Sequence, residues 1–123
     1  MSTLKVTNIQ ATGETASRAV SGVAGAWVDL TGSGTATINE SLNTSSVTDN
    51  GTGDYTFAFT NNPASDKYAF SGSANNNRNS TGWGYECYLH QQITSSVRVK
   101  VSDNPYTNYD CDPVSVSIHG DLA

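Results

Sequence analysis

The chain has 123 residues, with 6 Lys and Arg against 11 Asp and Glu for a formal net charge of −5, and its length suits a single domain. Hydrophobic residues make up 36% and charged residues 14%, below the roughly 45–50% and ~25% of an average globular domain, and 16 Ser, 15 Thr, 12 Asn and 11 Gly fill the difference. Three Glu and three Lys are too few for a helical bundle, and six cations on an acidic chain cannot neutralise a track of phosphates, so nucleic acid is not an expected partner.

The start, Met1-Ser2-Thr3-Leu4-Lys5, lacks the charged and apolar regions of a signal peptide, and nowhere does the chain approach the ~20 apolar residues of a membrane helix. The expectation is synthesis in a cytoplasm without export or membrane insertion. Residues 4–9 are strand-like, whereas 11–22 are rich in Ala, Thr, Ser and Gly with no aromatic residue. This stretch is too polar to anchor itself by burial. Residues 1–22 therefore read as a loose tail or edge strand, or as an arm that orders against a neighbouring subunit through Leu4, Val6 and Ile9. The folded domain is expected over 23–123.

Strand candidates follow at 26–30 and 35–39, where Trp27 and Val28 are expected to open the core. Thr31-Gly32-Ser33-Gly34 separates them as a hairpin turn. Asp49-Asn50-Gly51-Thr52-Gly53-Asp54 is a second reversal, because Asn-Gly readily takes positive φ. It leads into Tyr55-Thr56-Phe57-Ala58-Phe59, which places three aromatic rings on one face. Pro63 marks a loop, since it has no amide to donate to a ladder. Tyr68 and Phe70 begin a short alternating run, and Trp83, Tyr85, Cys87 and Leu89 align along a longer one expected to face inward. Val97, Val99 and Val101 repeat the pattern, as do Val114, Val116 and Ile118. Alternation with period two is the mark of half-buried antiparallel strands, and about eight of them separated by turns predict an all-β fold, an antiparallel β-sandwich or jelly roll.

The chemistry-bearing residues are sparse. Cys87 and Cys111 would close a loop of about 25 residues, worth roughly 3 kcal/mol if bridged, but a reducing compartment would keep them free, and both states stay open. Two cysteines without adjacent histidines do not make a zinc site. His90 and His119 follow apolar positions and should point to solvent. No nucleophile elbow, P-loop or His-Glu-x-x-His occurs, and Glu14, Glu40 and Glu86 are widely spaced, so enzymatic activity and cofactors are not expected. The Asp49–Gly53 turn is not an EF-hand, because the twelfth position is Thr60. Asp103, Asp110 and Asp112 share one polar loop and read as solvated rather than metal-binding. The most binding-like surface is Tyr106 and Tyr109 beside the asparagines Asn75, Asn76 and Asn77. Exposed tyrosines stack on sugars or on a partner, and asparagine supplies both donor and acceptor. The same tyrosines could equally fold back as lids on the sandwich edge.

One resemblance adds to this reading. Gly25-Ala26-Trp27-Val28-Asp29-Leu30-Thr31-Gly32-Ser33-Gly34, then Asn43-Thr44-Ser45-Ser46-Val47-Thr48-Asp49-Asn50-Gly51-Thr52-Gly53-Asp54-Tyr55-Thr56, resembles a module of virion proteins from tailed bacteriophages, especially those of marine and cyanobacterial hosts. Val114-Ser115-Val116-Ser117-Ile118-His119-Gly120-Asp121 looks like the module's last strand, and Met1-Ser2-Thr3-Leu4-Lys5-Val6 with Ile9 is similar to the start of small phage virion proteins. Residues 73–112 carry no motif of the module. The resemblance implies a virion structural protein, assembled in the host cytoplasm as a homotrimer through its N-terminal β arm. It would contact other virion proteins as a capsid decoration or tail-fibre component. The alternative is a lectin-like carbohydrate-binding module that recognises a host-surface glycan.

Overall fold

The computed structural model describes residues 2–9, 12, 18–19, 24–78, 84–103 and 107–123. Every strand pairing in it is antiparallel. Near the N-terminus, β1 (Asn8–Ile9) and β2 (Arg18–Ala19) pair only with each other. The sandwich begins at β3 (Ala24–Thr31) and continues through β4 (Thr37–Leu42), β5 (Thr44–Gly51), β6 (Asp54–Phe59), β7 (Ala69–Asn75), β8 (Gly84–Ile93), β9 (Ser96–Asp103), β10 (Thr107–Asn108) and β11 (Val114–His119). One layer runs in the order β4-β3-β11-β7 and the other β8-β9-β6-β5, with the short β10 added beside β9.

Two corners join the layers and nearly close them into a barrel. At one, β8 pairs with β7 through Gly84 and Tyr85 only, then leaves it to follow β9. At the other, a single residue separates β4 from β5. That residue is Asn43, whose φ of 54° is tolerated better by asparagine than by most side chains. Its amide donates to the carbonyls of Gly25 (2.9 Å) and Asn61 (2.8 Å), while its Oδ1 accepts from the Asn61 N–H. The side chain thus stitches three segments at the point where the chain changes layer.

Alternation builds the core as expected. Val28 and Leu30 of β3, Val114, Val116 and Ile118 of β11, Tyr55, Phe57 and Phe59 of β6, and Val97, Val99 and Val101 of β9 all point between the layers. Burying each such side chain contributes about 1.5–3 kcal/mol relative to leaving it exposed. Two expectations need correction, and one strand was not expected. Trp27 lies between the buried Ala26 and Val28 and directly opposite Ser117, so its parity sends it to the outer face rather than into the core. Leu89 keeps the inward parity of Val99, yet is 37% exposed. Past Tyr85 the strand has left β7, and a register shift between Leu89 and Gln91 hands the next inward place to Gln92. Finally, β5 is a full strand that the polar sequence did not announce: a shift between Thr44 and Ser46 breaks the period, leaving Val47 as its one half-buried aliphatic residue.

One end of the sandwich is held by Tyr55. It is fully buried, and its hydroxyl is shared between the Gly32 carbonyl (3.1 Å) and the Asp110 carboxylate (2.9 Å). Burial first, and then the Asp110 carboxylate, push this hydroxyl far above its ordinary value, so it remains a donor. Asp110 also accepts from the Gly53 N–H (2.8 Å), and Gly32 donates to the Cys111 carbonyl (2.7 Å). The β3–β4 turn, the β5–β6 turn and the loop before β11 are thereby tied together. Both glycines are required by space: a Cβ on Gly32 would sit 2.4 Å from the Tyr55 oxygen, and one on Gly53 (φ +62°) 2.6 Å from the Val101 carbonyl. At the other end the Tyr68 hydroxyl donates toward the carbonyls of Ile93 and Ser96 (both 3.1 Å), and its ring meets Phe59 edge-on at 5.8 Å.

Tyr55→Phe keeps the ring and removes only the shared hydroxyl. The expected loss is about 1–3 kcal/mol, the range for leaving a buried acceptor unpaired, read as a lower urea midpoint at unchanged slope. An unchanged midpoint would show that the hydroxyl does not hold the turns.

Candidate functional site

The loops singled out by sequence are only partly free. Asn75 ends β7 half-buried: its N–H donates to the Pro113 carbonyl (3.0 Å) and its Oδ1 accepts from the Asn77 N–H (2.8 Å). The Asn76 amide reaches the Tyr85 hydroxyl at 3.5 Å. Tyr109 does not stand out from the surface. Its ring lies 4.8 Å from that of Tyr85, tilted by 45°, and its N–H donates to Val101. A hydrogen bond with the Asp103 carboxylate raises the Tyr109 hydroxyl above its ordinary value. The fold therefore brings Tyr109, Tyr85 and Asn76 together at one end of the sandwich. Tyr106 and Trp83 lie outside the described residues.

The acidic loop residues serve the scaffold. Asp110 holds Tyr55 and Gly53, and Asp112 accepts from Arg78. Among the described residues no group of three or more His, Cys, Asp and Glu side chains is placed to hold a metal ion. His90 and His119 are exposed, as their parity indicated.

A further polar cluster surrounds Arg78. Arg78 clamps two carboxylates at once, with Nη2 at 2.7 Å from Asp29 and 2.9 Å from Asp112, Nε at 3.0 Å from Asp112 and Nη1 at 3.2 Å from Asp29. Asp29 also accepts from Asn39 (2.9 Å) and Ser115 (3.1 Å). Burial alone would raise the Asp29 carboxyl, but the hydrogen bonds from Arg78, then Asn39 and Ser115, outweigh it and hold the group below the ordinary carboxylate range. The signal that could have found this cluster is the isolation of Arg78, the one charged residue between Lys67 and Glu86.

On the opposite layer Asp54 is 7% exposed and accepts from both Nε and Nη2 of Arg98 at 2.7 Å, with the Lys100 ammonium at 3.7 Å. This bidentate geometry is the strong form of an ion pair. The Arg98 hydrogen bonds hold the Asp54 carboxyl below its ordinary 3.8 against the opposing effect of burial. A depressed folded value means that the stabilisation is complete above the unfolded value and is lost as pH falls through the folded one. The stability difference between the wild type and Asp54→Asn is therefore expected to be constant above about pH 5 and to shrink below about pH 4, measured by urea unfolding across a pH series. A difference that persists undiminished in strong acid would contradict the pairing.

Compared with models of protein families, with curated proteins and with solved structures, the chain matches none. Its chemistry must therefore be read from its own surfaces.

Cys87 and Cys111 are free thiols, Cys111 fully buried and Cys87 half-buried beneath Gly72. Burial pushes Cys87 up to about 12, helped by the neighbouring Cys111, and Cys111 up to about 11, helped by Asp110. Little thiolate then exists near neutrality. Iodoacetamide at about pH 8 is expected to leave the folded chain unmodified, while in denaturant without reductant both cysteines are alkylated, as intact mass will show. No alkylation in denaturant would reveal a bridge instead.

Proposed function

We propose that the chain is a structural protein of a bacteriophage virion, displayed on the particle as a capsid decoration or tail-fibre component and assembled as a homotrimer through its N-terminal arm. The observation that carries this reading is the arm itself. Leu4 is 85% exposed and Val6 is exposed too, on a segment whose β1 pairs with no strand but β2. Neither residue belongs to the buried core of the described residues, and burial against an identical neighbour would recover about 25 cal/mol per Å². The β3–β4 and β5–β6 regions, where the phage module is resembled, support the reading in another way. Their glycines, Asp49 and Tyr55 make turns and core contacts, and act as scaffold.

The remaining surface suits a building block. Short hydroxyl and amide side chains line the outer faces, and they lose little rotamer freedom when ordered. The contacts of such a trimer with other virion proteins would then use faces that each sandwich presents in three copies.

Full-length protein is expected to show three times the chain mass by multi-angle light scattering. A chain lacking residues 1–22 should unfold cooperatively with the same sandwich stability but run as a monomer. Leu4→Ser combined with Val6→Ser should behave likewise. Trimers that survive both changes would overturn the role of the arm.

A further inference from the structure

The outer face of β3, β11 and β7 carries a shallow hollow. Its floor is built from two rows of directly paired residues, Trp27, Ser117 and Ser71 in one, and Asp29, Ser115 and Ser73 in the next. Strand spacing makes this floor roughly 10 Å across and the rows about 7 Å apart. The outward positions of the central strand here are serines, while the Trp27 indole lines one part of the trough and Arg78 covers Asp29. The resulting trough holds about 300 Å³, at the lower end of the ~300–1,000 Å³ typical of small-molecule sites. That volume suits one small ring rather than an extended chain.

The hydroxyls in the trough have a defined polarity. Asp29 accepts four hydrogen bonds, from Asn39, Ser115 and two Arg78 nitrogens, which fills the approximate capacity of a carboxylate. Ser115 donates its only proton to Asp29, so its oxygen faces the trough as an acceptor. Ser71 and Ser117 lie 3.3 Å apart and share one hydrogen bond, which leaves the accepting partner's O–H available as a donor. An acceptor and a donor beside an aromatic wall match a ligand whose groups both donate and accept and whose body presents C–H bonds to an indole. The charges decide among such ligands. Arg78 is compensated by both Asp29 and Asp112, so the cluster carries a formal 1 − 2 = −1 and repels anions.

We propose that this trough binds a single neutral pyranose ring, with one face of the sugar against Trp27 and its hydroxyls on Ser71, Ser115 and Ser117. Asp29 and Arg78 act as positioning residues that orient the Ser115 hydroxyl. The proposal does not depend on assembly, because the whole site lies within one chain, and it gives carbohydrate recognition a different place from the loop that carries Tyr109.

The test is a 15N–1H titration of the full-length protein with the methyl glycosides of glucose, galactose, mannose and N-acetylglucosamine, to about 50 mM, a level that registers millimolar affinity. At least one sugar is expected to shift the amides of residues 71–73 and 115–117 and the Trp27 indole together. Trp27→Ala should weaken that binding at least about tenfold, the scale of losing a well-packed aromatic contact. Ser73→Leu, an exposed position whose new side chain would fill the trough, should weaken it similarly while leaving the remaining spectrum folded. Tyr88→Ala, on the opposite layer, should leave the affinity unchanged. The proposal is overturned if no glycoside shifts these residues, if the shifts centre elsewhere, or if both trough variants bind as the wild type does. It is also overturned if the trough amides move with protein concentration and not with sugar, which would make this face a contact between copies of the chain.

Discussion

A buried tyrosine hydroxyl governs how this sandwich closes. Tyr55 sits near the start of β6, the aromatic strand, and its oxygen is tied to a turn from the other layer and to a loop more than fifty residues away. Gly32 is fitted against the Tyr55 ring and the Cys111 carbonyl and Gly53 against the backbone of Val101 and Tyr109, so the turns of β3–β4 and β5–β6 seat on the same loop. Without that tie the two layers would still bury their valines. Their ends, however, would have no fixed relation, and Asp110, Cys111 and the approach to β11 would lose their register. The opposite end repeats the device with Tyr68, whose hydroxyl reaches the carbonyls on both sides of the β8–β9 turn.

Much of this architecture could be read from the residue order, and the parts that could not share a cause. β6, β9 and β11 announce themselves because their inward positions are large and apolar and their outward ones are polar or small. The all-β class and the hairpin at Asp49–Asp54 follow from the same local rules. Where a strand shifts register, local rules fail. β5 carries no strand signal because its period breaks after Thr44, and Leu89 reads as core because nothing local reveals that β8 changes partners. Trp27 misleads for a different reason: its size suggests burial, while its parity relative to Val28 and Leu30 places it outside. Counting parity from the smaller aliphatic residues would have corrected it.

The candidate sites divide along the same line. Tyr109 and the asparagines were recognisable as types, but only the fold shows that the ring packs on Tyr85 and that Asn75 is engaged by Pro113 and Asn77. The Arg78 cluster joins residues from β3, β4, β11 and two loops, separated by up to 86 positions, so no spacing pattern could expose it. The outer faces of the two layers come to differ as a result. One carries Asp54 locked to Arg98 and Lys100, the other a trough of hydroxyls beside an indole, and the exposed arm with Leu4 belongs to neither. Under the proposed assembly through the arm, both faces would stay open to other contacts.

The two hairpin tips have opposite freedoms. Residues 33–35 project into solvent, and nothing approaches Gly34 within 4 Å. The tip at Thr52 and Gly53 also looks superficial, yet its backbone is wedged against Val101 and Tyr109. The first tip can therefore be lengthened or decorated around Ser33 and Thr35, whereas the second is fixed at Gly53. Among the described residues, a label, an epitope or an insertion placed at the first tip would project beside the layer that bears Trp27 without touching the tie at Tyr55.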